Sequence, residues 1–188
     1  SPKVMSDVLT VTESPVIFSH SNARGLTSHP RNVPDSILVR LKDNGGVVML
    51  SFIPFFVSQE AADYLEANDW TIKGANTVES LKALSEGMPK ANVGHVVEHI
   101  EYVRDLAGID HIGIGSDYYG SDDMPIGLED VSKYPNLFAA LIKKGWPDED
   151  LKKLAGENIL RVMRENEANA KRIQKLRQPS TKVIEDYN

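Results

Sequence analysis

The chain of 188 residues contains no cysteine. This absence excludes disulfide bonds, thiolate nucleophiles and zinc sites built from cysteine ligands. The sequence also lacks any run of about 18 apolar residues, so we predict no transmembrane helix. Positive charge is scarce, because 21 Lys and Arg residues stand against 27 Asp and Glu residues, a net charge of -6. Such an acidic balance suits a nucleic-acid backbone poorly, and no nucleic-acid partner is expected.

One basic stretch near the carboxyl end departs from the acidic balance. It consists of Lys171, Arg172, Lys175 and Arg177. The solvated end of a helix explains this stretch more simply than a binding surface does. Residues 169–188 include Pro179 and lack an apolar period, so we predict a tail there and a folded domain over residues 1–168. The 41% hydrophobic and 26% charged content is typical of a single globular domain.

Short apolar runs alternate with helical patterns along the chain. The runs at residues 15–18, 47–52 and 111–115 are continuously apolar, which is typical of parallel strands covered on both faces. An apolar stripe at helical spacing predicts a helix over residues 93–107 that ends at Gly108. Further helices are predicted at residues 2–13, 34–44, 61–67, 78–86, 135–145, 148–155 and 157–168. This alternation predicts an α/β fold of parallel βα units.

Polar side chains directly follow two of the predicted strands. Ser19 and His20 come after the first strand, and Ser116 and Asp117 come after the third. Because ligands bind at the carboxyl ends of parallel strands, we expect His20 and Asp117 to face one site. His20 could ligate a metal or act as a base, and Asp117 could move a proton or bind a cationic group. A hydrogen-bonded core histidine and a loop-capping aspartate are the structural alternatives.

Arg31 stands eleven residues after His20, just before the predicted helix at residues 34–44. A guanidinium in the loop after such a strand can bind a carboxylate through two parallel hydrogen bonds. A surface ion pair is the plainer interpretation of the same residue.

His95, Glu98 and His99 form a separate candidate, because they match the H-x-x-E-H pattern of inverted zincins. On a helix, the two histidines lie on one side and could share a metal ion. Polar residues that flank an apolar stripe, or a structural role for His99 alone, explain the same pattern without a metal.

Several sequence blocks follow one another in a characteristic order. They are residues 14–21 (SPVIFSHS), 31–35 (RNVPD), 99–100 (HI), 113–117 (GIGSD), 127–131 (GLEDV) and 156–162 (GENILRV). Each block is a weak signal by itself, and their order makes the set specific. Over most of the chain, the set resembles the membrane (renal-type) dipeptidases, metallopeptidase family M19.

This resemblance implies a (β/α)8 TIM-type barrel with a two-zinc site at its carboxyl mouth and dipeptides as substrates. It implies that His20 ligates one zinc ion and that Arg31 binds the terminal carboxylate of the substrate. It also implies that Asp117 binds the substrate amino group or passes a proton to the leaving amine. Two metal ions bridged by a hydroxide would supply the nucleophile and polarise the scissile carbonyl.

The chain departs from the family pattern in three respects. The family's other zinc ligands precede the region matched here, so His20 is the one ligand of that set in this sequence. The family motif Phe-Asp-Gly after the active-site aspartate is replaced by Tyr118-Tyr119-Gly120, which removes one carboxylate. A tyrosine that contacts substrate in the family aligns with Phe56, which lacks the hydroxyl.

We therefore expect the carboxyl-terminal part of a dipeptidase barrel that is incomplete in this chain. One histidine cannot hold a catalytic zinc ion, which needs about three protein ligands. The chain is then part of a longer polypeptide, a partner of a separate amino-terminal half or of a second copy, or a truncated product. A non-catalytic binding module that retains Arg31 and Asp117 is the alternative. The resemblance leaves the compartment open, because relatives are often secreted or membrane-anchored and no anchor signal is visible near Asn188.

Overall fold

A three-stranded parallel sheet forms the centre of the protein. The computed structural model describes residues 1–68, 86–181 and 183. The strands are β1 (Ile17–Phe18), β2 (Val47–Leu50) and β3 (Ile112–Ile114), in the order β1-β2-β3. Each lies within an apolar run that predicted it, and the mixed α/β class is confirmed.

One helix precedes β1, and the others follow the strands along the chain. The helices are α1 (Pro2–Val11), α2 (Asp35–Leu38), α3 (Leu41–Asn44), α4 (Pro54–Val57), α5 (Gln59–Ala67), α6 (Val93–Ala107), α7 (Tyr134–Lys143), α8 (Asp148–Lys152) and α9 (Asn158–Gln174). The helix predicted at residues 78–86 lies, apart from its last residue, outside the described residues. No helix in the described part of the chain is both long and apolar enough to cross a membrane.

Helix α6 has the bounds that its apolar stripe predicts. Asn92 caps its first turn, because the Asn92 side chain accepts a hydrogen bond from the Gly94 N–H at 2.8 Å. The buried face of the helix contributes Ile100 and Val103 to the main core. The helix ends at Gly108, whose φ of 91° favours a residue without a side chain.

The helix predicted at residues 34–44 is two short helices, α2 and α3, which is a correction to the sequence analysis. The chain turns near Arg40, whose guanidinium donates to the hydroxyl of Ser6 at 2.8 Å and to the hydroxyl of Thr10 at 3.2 Å. These contacts join residues 30 to 34 positions apart, which a local apolar period cannot show.

The two faces of the sheet are covered to different degrees. Side chains alternate along a strand, so Phe18, Val48 and Ile112, which pair in register, lie on one face. Val48 and Ile112 are fully buried in the main core, and Phe18 packs against it. Ile17 lies on the opposite face at the sheet edge and is 43% exposed, with Met49 partly exposed beside it. The expected cover on both faces is therefore incomplete.

The carboxyl-terminal helices run together through a π-helical turn at Lys153–Glu157. The helix predicted to end at residue 168 continues to Gln174, because Asn166 and Asn169 donate to the carbonyls of Pro15 and Glu13. The basic stretch belongs to this end of the fold. Arg172 and Arg177 form ion pairs with Glu13, so part of the positive charge of the basic stretch is neutralised within the chain.

Candidate functional site

The ends of β1 and β3 converge at the carboxyl edge of the sheet. A side chain on Gly115 would stand 2.2 Å from the carbonyl oxygen of Ser19 and 2.7 Å from Cβ of Met49. Glycine is therefore required for this close approach. The Phe52 N–H then donates to the carbonyl of Ser116 at 2.9 Å, which fixes the chain just before Asp117. The residues after β1 and β3 thus lie at one edge, as parallel strands predict.

His20 and Arg31 are in direct contact at this edge. The Nη2 atom of Arg31 lies 2.6 Å from Nε2 of His20, and Nδ1 of His20 lies 2.6 Å from Oγ of Ser19. A guanidinium can only donate, so in this contact Nε2 of His20 accepts and Nδ1 is the ring nitrogen that can donate to Oγ of Ser19. Both ring nitrogens of His20 are occupied, and a metal ion at Nε2 would have to displace the guanidinium.

The side chain of Arg31 lies over one aromatic ring. Its Cζ lies 5.3 Å from the centre of the Phe56 ring, within the range of a cation–π contact. The ring of His29 packs against Phe56 with a centroid distance of 4.6 Å, and Nδ1 of His29 accepts the backbone N–H of Arg31 at 3.3 Å. Burial and the charges of Arg31 and Arg24 lower the pKa of His29 to about 4, so this imidazole is neutral near pH 7.

Buried hydrogen bonds hold the loop that carries Arg31. We call residues 19–33, which follow β1, the first edge loop. The side chain of Asn32 donates to the carbonyls of Thr27 and Phe56, both at 2.9 Å, and accepts the N–H of Asn22 at 3.2 Å. Asn32 is fully buried. The loop conformation is therefore fixed by amide contacts that solvent cannot replace.

His99 belongs to the same network rather than to a metal site on its helix. Its Nδ1 accepts the N–H of Ala23 at 3.1 Å, and its Nε2 lies 3.2 Å from the hydroxyl of Thr27. Burial lowers the pKa of His99 to about 4, which keeps the imidazole neutral.

The other histidine of the pattern, His95, accepts the N–H of Asn92 through Nδ1 at 3.1 Å and completes the cap of α6. Both ring nitrogens of His99 are engaged. The inverted-zincin interpretation of His95, Glu98 and His99 is therefore contradicted by these contacts.

Asp117 lies in a loop of different construction. We call residues 116–130, which follow β3, the second edge loop. Asp117 and Tyr119 both adopt left-handed backbone conformations, with φ of 63° and 70°. Within the residues that the structure describes, no hydrogen bond to the Asp117 carboxylate and no ion pair with it are found. Asp117 is partly exposed and lies at the same edge of the sheet as His20 and Arg31.

A cluster of three aromatic rings packs against the second edge loop and includes its residue Tyr118. The rings of Phe52, Tyr118 and Tyr134 contact one another edge to face, with centroid distances of 5.8 to 6.0 Å. The Tyr134 hydroxyl donates to Oγ of Ser116 at 3.0 Å, and the Tyr118 hydroxyl donates to the carbonyl of Asp130. Burial raises the pKa of Tyr118 to about 12, so this phenol stays protonated and structural.

A metal ion does not fit the described residues by themselves. No group of three or more His, Cys, Asp or Glu side chains that could hold a metal ion is found among residues 1–68, 86–181 and 183. His20 is a single candidate ligand, and a catalytic zinc ion needs about three.

Sequence reasoning missed the contribution of His29 to this site. The sequence contains a signal for it, because His29 stands two residues before Arg31. A side-chain acceptor at that spacing can bond the backbone N–H two residues on. The aromatic contact with Phe56 joins residues 27 positions apart in the sequence and requires the fold.

The parallel sheet and its helices define an α/β protein, and His20, Arg31 and Asp117 follow its strands at the carboxyl edge, where ligands bind in such folds. The family model "Membrane dipeptidase (Peptidase family M19)" matches residues 1–177. The chain therefore belongs to the membrane dipeptidase family, peptidase family M19.

Curated relatives are similar over most of this chain. Dipeptidase tcpJ of Claviceps purpurea (strain 20.1) is 41% identical over 167 residues, which are 89% of this chain and 33% of that protein. An uncharacterized dipeptidase of Schizosaccharomyces pombe is 39% identical over 168 residues, 89% of this chain and 34% of that protein. The chain thus spans about a third of the length of these curated relatives.

Solved structures show the same similarity in three dimensions. The probable dipeptidase PvdM from Pseudomonas aeruginosa matches with a TM-score of 0.74 and 28% identity, over 88% of this chain and 48% of that chain. A metallo peptidase from Rhodobacter sphaeroides, liganded with a phosphinate mimic of the dipeptide L-Ala-D-Ala, matches with a TM-score of 0.67 and 26% identity. That match covers 86% of this chain and 39% of the other.

Proposed function

We propose that this chain is the carboxyl-terminal part of a TIM-type dipeptidase barrel and provides part of the site for dipeptide hydrolysis. Membership of the M19 family supports the reaction class, and the observation that carries the proposal is the close approach of the residues after β1 and β3 at the carboxyl edge of the sheet. Dipeptides are the proposed substrates. The remainder of the site would come from an amino-terminal half, in the same polypeptide or in a partner chain, or from a second copy.

In this proposal Arg31 binds the carboxyl-terminal carboxylate of the dipeptide. Its guanidinium is exposed, planar and held over Phe56, which suits two parallel hydrogen bonds to a carboxylate. Asp117 binds the ammonium group of the substrate or passes a proton to the leaving amine. The carboxylate of Asp117 suits both roles, because no hydrogen bond to it is found within the described residues and the Asp117 carbonyl accepts the Gly120 N–H at 2.9 Å, which holds the backbone.

Zinc is the proposed metal, with two ions in the complete site and His20 as a ligand of one of them. The other ligands would lie outside the described residues, since those residues hold no three-ligand group. Binding of a metal at Nε2 of His20 would release the guanidinium of Arg31 from that atom, so His20 and Arg31 would separate on metal loading.

A chimaera tests this proposal. In it, this chain replaces the matching segment of Dipeptidase tcpJ from Claviceps purpurea, which is 41% identical over 167 residues. We expect a folded chimaera that hydrolyses a simple dipeptide with added zinc and loses activity with a chelator or with His20→Ala. His111→Phe is the matched control, because His111 bonds the carbonyl of Gly46 at the opposite end of β3. A chimaera that melts cooperatively but shows no zinc-dependent turnover would contradict the proposal.

A non-catalytic binding module is the second candidate function. The absence of a three-ligand group among the described residues favours it, together with the closed pair of His20 and Arg31. Calorimetric titration of the isolated chain with a dipeptide in excess chelator distinguishes the two functions. The binding module would be established by two results together. The isolated chain would bind the dipeptide without metal and lose that binding in Arg31→Ala, and the chimaera would be inactive.

A further inference from the structure

We propose that His29 is a positioning residue that fixes the backbone and the guanidinium of Arg31 for carboxylate binding. That the ligand is a dipeptide carboxylate rests on the proposed function, whereas the positioning of Arg31 rests on contacts of His29 within the structure.

The backbone of His29 is anchored on both sides. Its N–H donates to the carbonyl of Thr27 at 2.7 Å, and its own carbonyl accepts the N–H of Asn32 at 3.0 Å. Thr27 and Asn32 are both buried and belong to the network that includes His99. The imidazole therefore projects from a rigid part of the loop and can restrict the motion of Arg31 and Phe56, which it contacts.

The side chain of His29 makes two kinds of contact that meet at Arg31. Its Nδ1 accepts the Arg31 N–H at 3.3 Å, which restricts the backbone of the arginine. Its ring packs on Phe56 at 4.6 Å and on Phe55 at 5.7 Å, and these two phenyl rings contact each other edge to face at 5.0 Å. Phe56 in turn carries the guanidinium at 5.3 Å. The imidazole of His29 thus packs against the Phe56 ring, over which the guanidinium of Arg31 lies.

A neutral histidine suits this position for a chemical reason. The contact with the Arg31 N–H requires an acceptor, and a protonated imidazole has only donors. Burial and the adjacent charges of Arg31 and Arg24 keep the ring neutral near pH 7. Arg31 is otherwise an exposed, long side chain, and holding it in place before the ligand arrives lowers the entropic cost of binding.

Two substitutions separate the two contacts. His29→Asn removes the ring but retains a side-chain acceptor that can reach the N–H two residues on. His29→Phe retains an aromatic ring but removes the acceptor. His111→Phe is the control, because it removes a comparable imidazole contact, at 2.8 Å to the Gly46 carbonyl, from the far end of the sheet.

Nuclear magnetic resonance on the isolated chain tests the positioning without any need for activity. The Nε–Hε resonance and relaxation of Arg31 report the order of its side chain, and its amide shift reports the hydrogen bond to His29. We expect both His29 variants to lower the order of the side chain. We expect the amide to shift in His29→Phe and to remain near its wild-type position in His29→Asn. His111→Phe should leave both signals unchanged.

Kinetics in the chimaera tests the consequence for substrate binding. We expect His29→Phe to raise KM for a dipeptide by about 3- to 10-fold, the range of one neutral hydrogen bond, with kcat within about twofold. Unchanged Arg31 resonances in both His29 variants, or the same changes in His111→Phe, would overturn the proposal. An inactive wild-type chimaera would contradict the proposed function instead, and the resonance measurements would still decide the role of His29.

Discussion

The two loops at the carboxyl edge of the sheet are stabilised by different means. The first edge loop buries the polar side chains of Asn22, Thr27 and Asn32, each at most 1% exposed. The second edge loop contributes no buried polar side chain and instead holds Asp117 and Tyr119 in left-handed backbone conformations. One loop is fixed by hydrogen bonds in the core and the other by backbone turns over an aromatic cluster. Carboxylate binding is thus proposed on the rigid loop and proton transfer on the strained one.

Removing the central amide of the first edge loop should have the largest effect. Asn32→Ala leaves the buried carbonyl of Phe56 and the N–H of Asn22 without the Asn32 partner, and the carbonyl of Thr27 keeps only the His29 N–H. We therefore expect a loss of about 3–4 kcal/mol in the free energy of unfolding. Asn136→Ala is the matched control near the second edge loop, where an exposed amide donates to the Gly127 carbonyl at 2.9 Å. Urea denaturation should give less than about 1 kcal/mol for that control. Equal losses would remove the contrast between the loops.

Forcing the two edge loops apart should have the next largest effect. Gly115→Ala places a methyl group 2.2 Å from the Ser19 carbonyl oxygen, and the backbone must move to relieve the clash. We expect a destabilisation of about 2–3 kcal/mol in denaturant titrations. Gly156→Ala serves as the control, because no atom lies within 4 Å of the added carbon. A Gly115→Ala protein as stable as the control would show that the loops do not converge.

Acid should weaken the first edge loop through His99. Its pKa is lowered from 6.5 to about 4 in the folded chain, so the unfolded chain binds more protons between these values. The free energy of unfolding must then fall as pH decreases through that window, by about 2 kcal/mol from this group between pH 7 and pH 5. His99→Leu should be less stable at pH 7 but should lose less stability on acidification. An unchanged pH dependence in the variant would contradict the neutral, buried state of His99.

Relieving strain in the second edge loop should have the smallest effect and the opposite sign. Tyr119 is fully exposed and has a φ of 70°, a conformation that costs a tyrosine about 1 kcal/mol and a glycine almost nothing. We expect Tyr119→Gly to raise the free energy of unfolding by about 0.5–1 kcal/mol. A destabilised variant in thermal melting would mean that the tyrosine ring makes a stabilising contact.

Local patterns predicted the elements of this fold better than its interruptions. The stripe from Val93 to Ala107 and the stop at Gly108 are encoded within one helix, and they are found as expected. The break between α2 and α3 depends on contacts of Arg40 with α1, and the extension of α9 depends on Asn166 and Asn169. Those side chains bond residues 30 or more positions away, so local periodicity carries no information about them.

The candidate site was predictable to a similar degree. Strand ends pointed to His20 and Asp117, because side chains after parallel strands gather at one edge. The hydrogen bond between His20 and Arg31 and the contact of His29 with the Arg31 N–H depend on how the first edge loop folds back on itself. His99 fixes that loop from 72 to 76 residues away, and its proximity to residues 23 and 27 follows only from the packing of α6 on the sheet.

The role of Arg31 tests the account most directly. In the chimaera, kcat/KM for a dipeptide and for the same dipeptide with an amidated carboxyl terminus should be compared with and without Arg31→Ala. If Arg31 binds the carboxylate, the substitution should lower kcat/KM for the free acid by about 10- to 100-fold, the range of a charge-assisted hydrogen bond, and leave the amide nearly unaffected. Equal losses for the free acid and the amide would contradict the account, because Arg31 would then act on something other than the carboxylate.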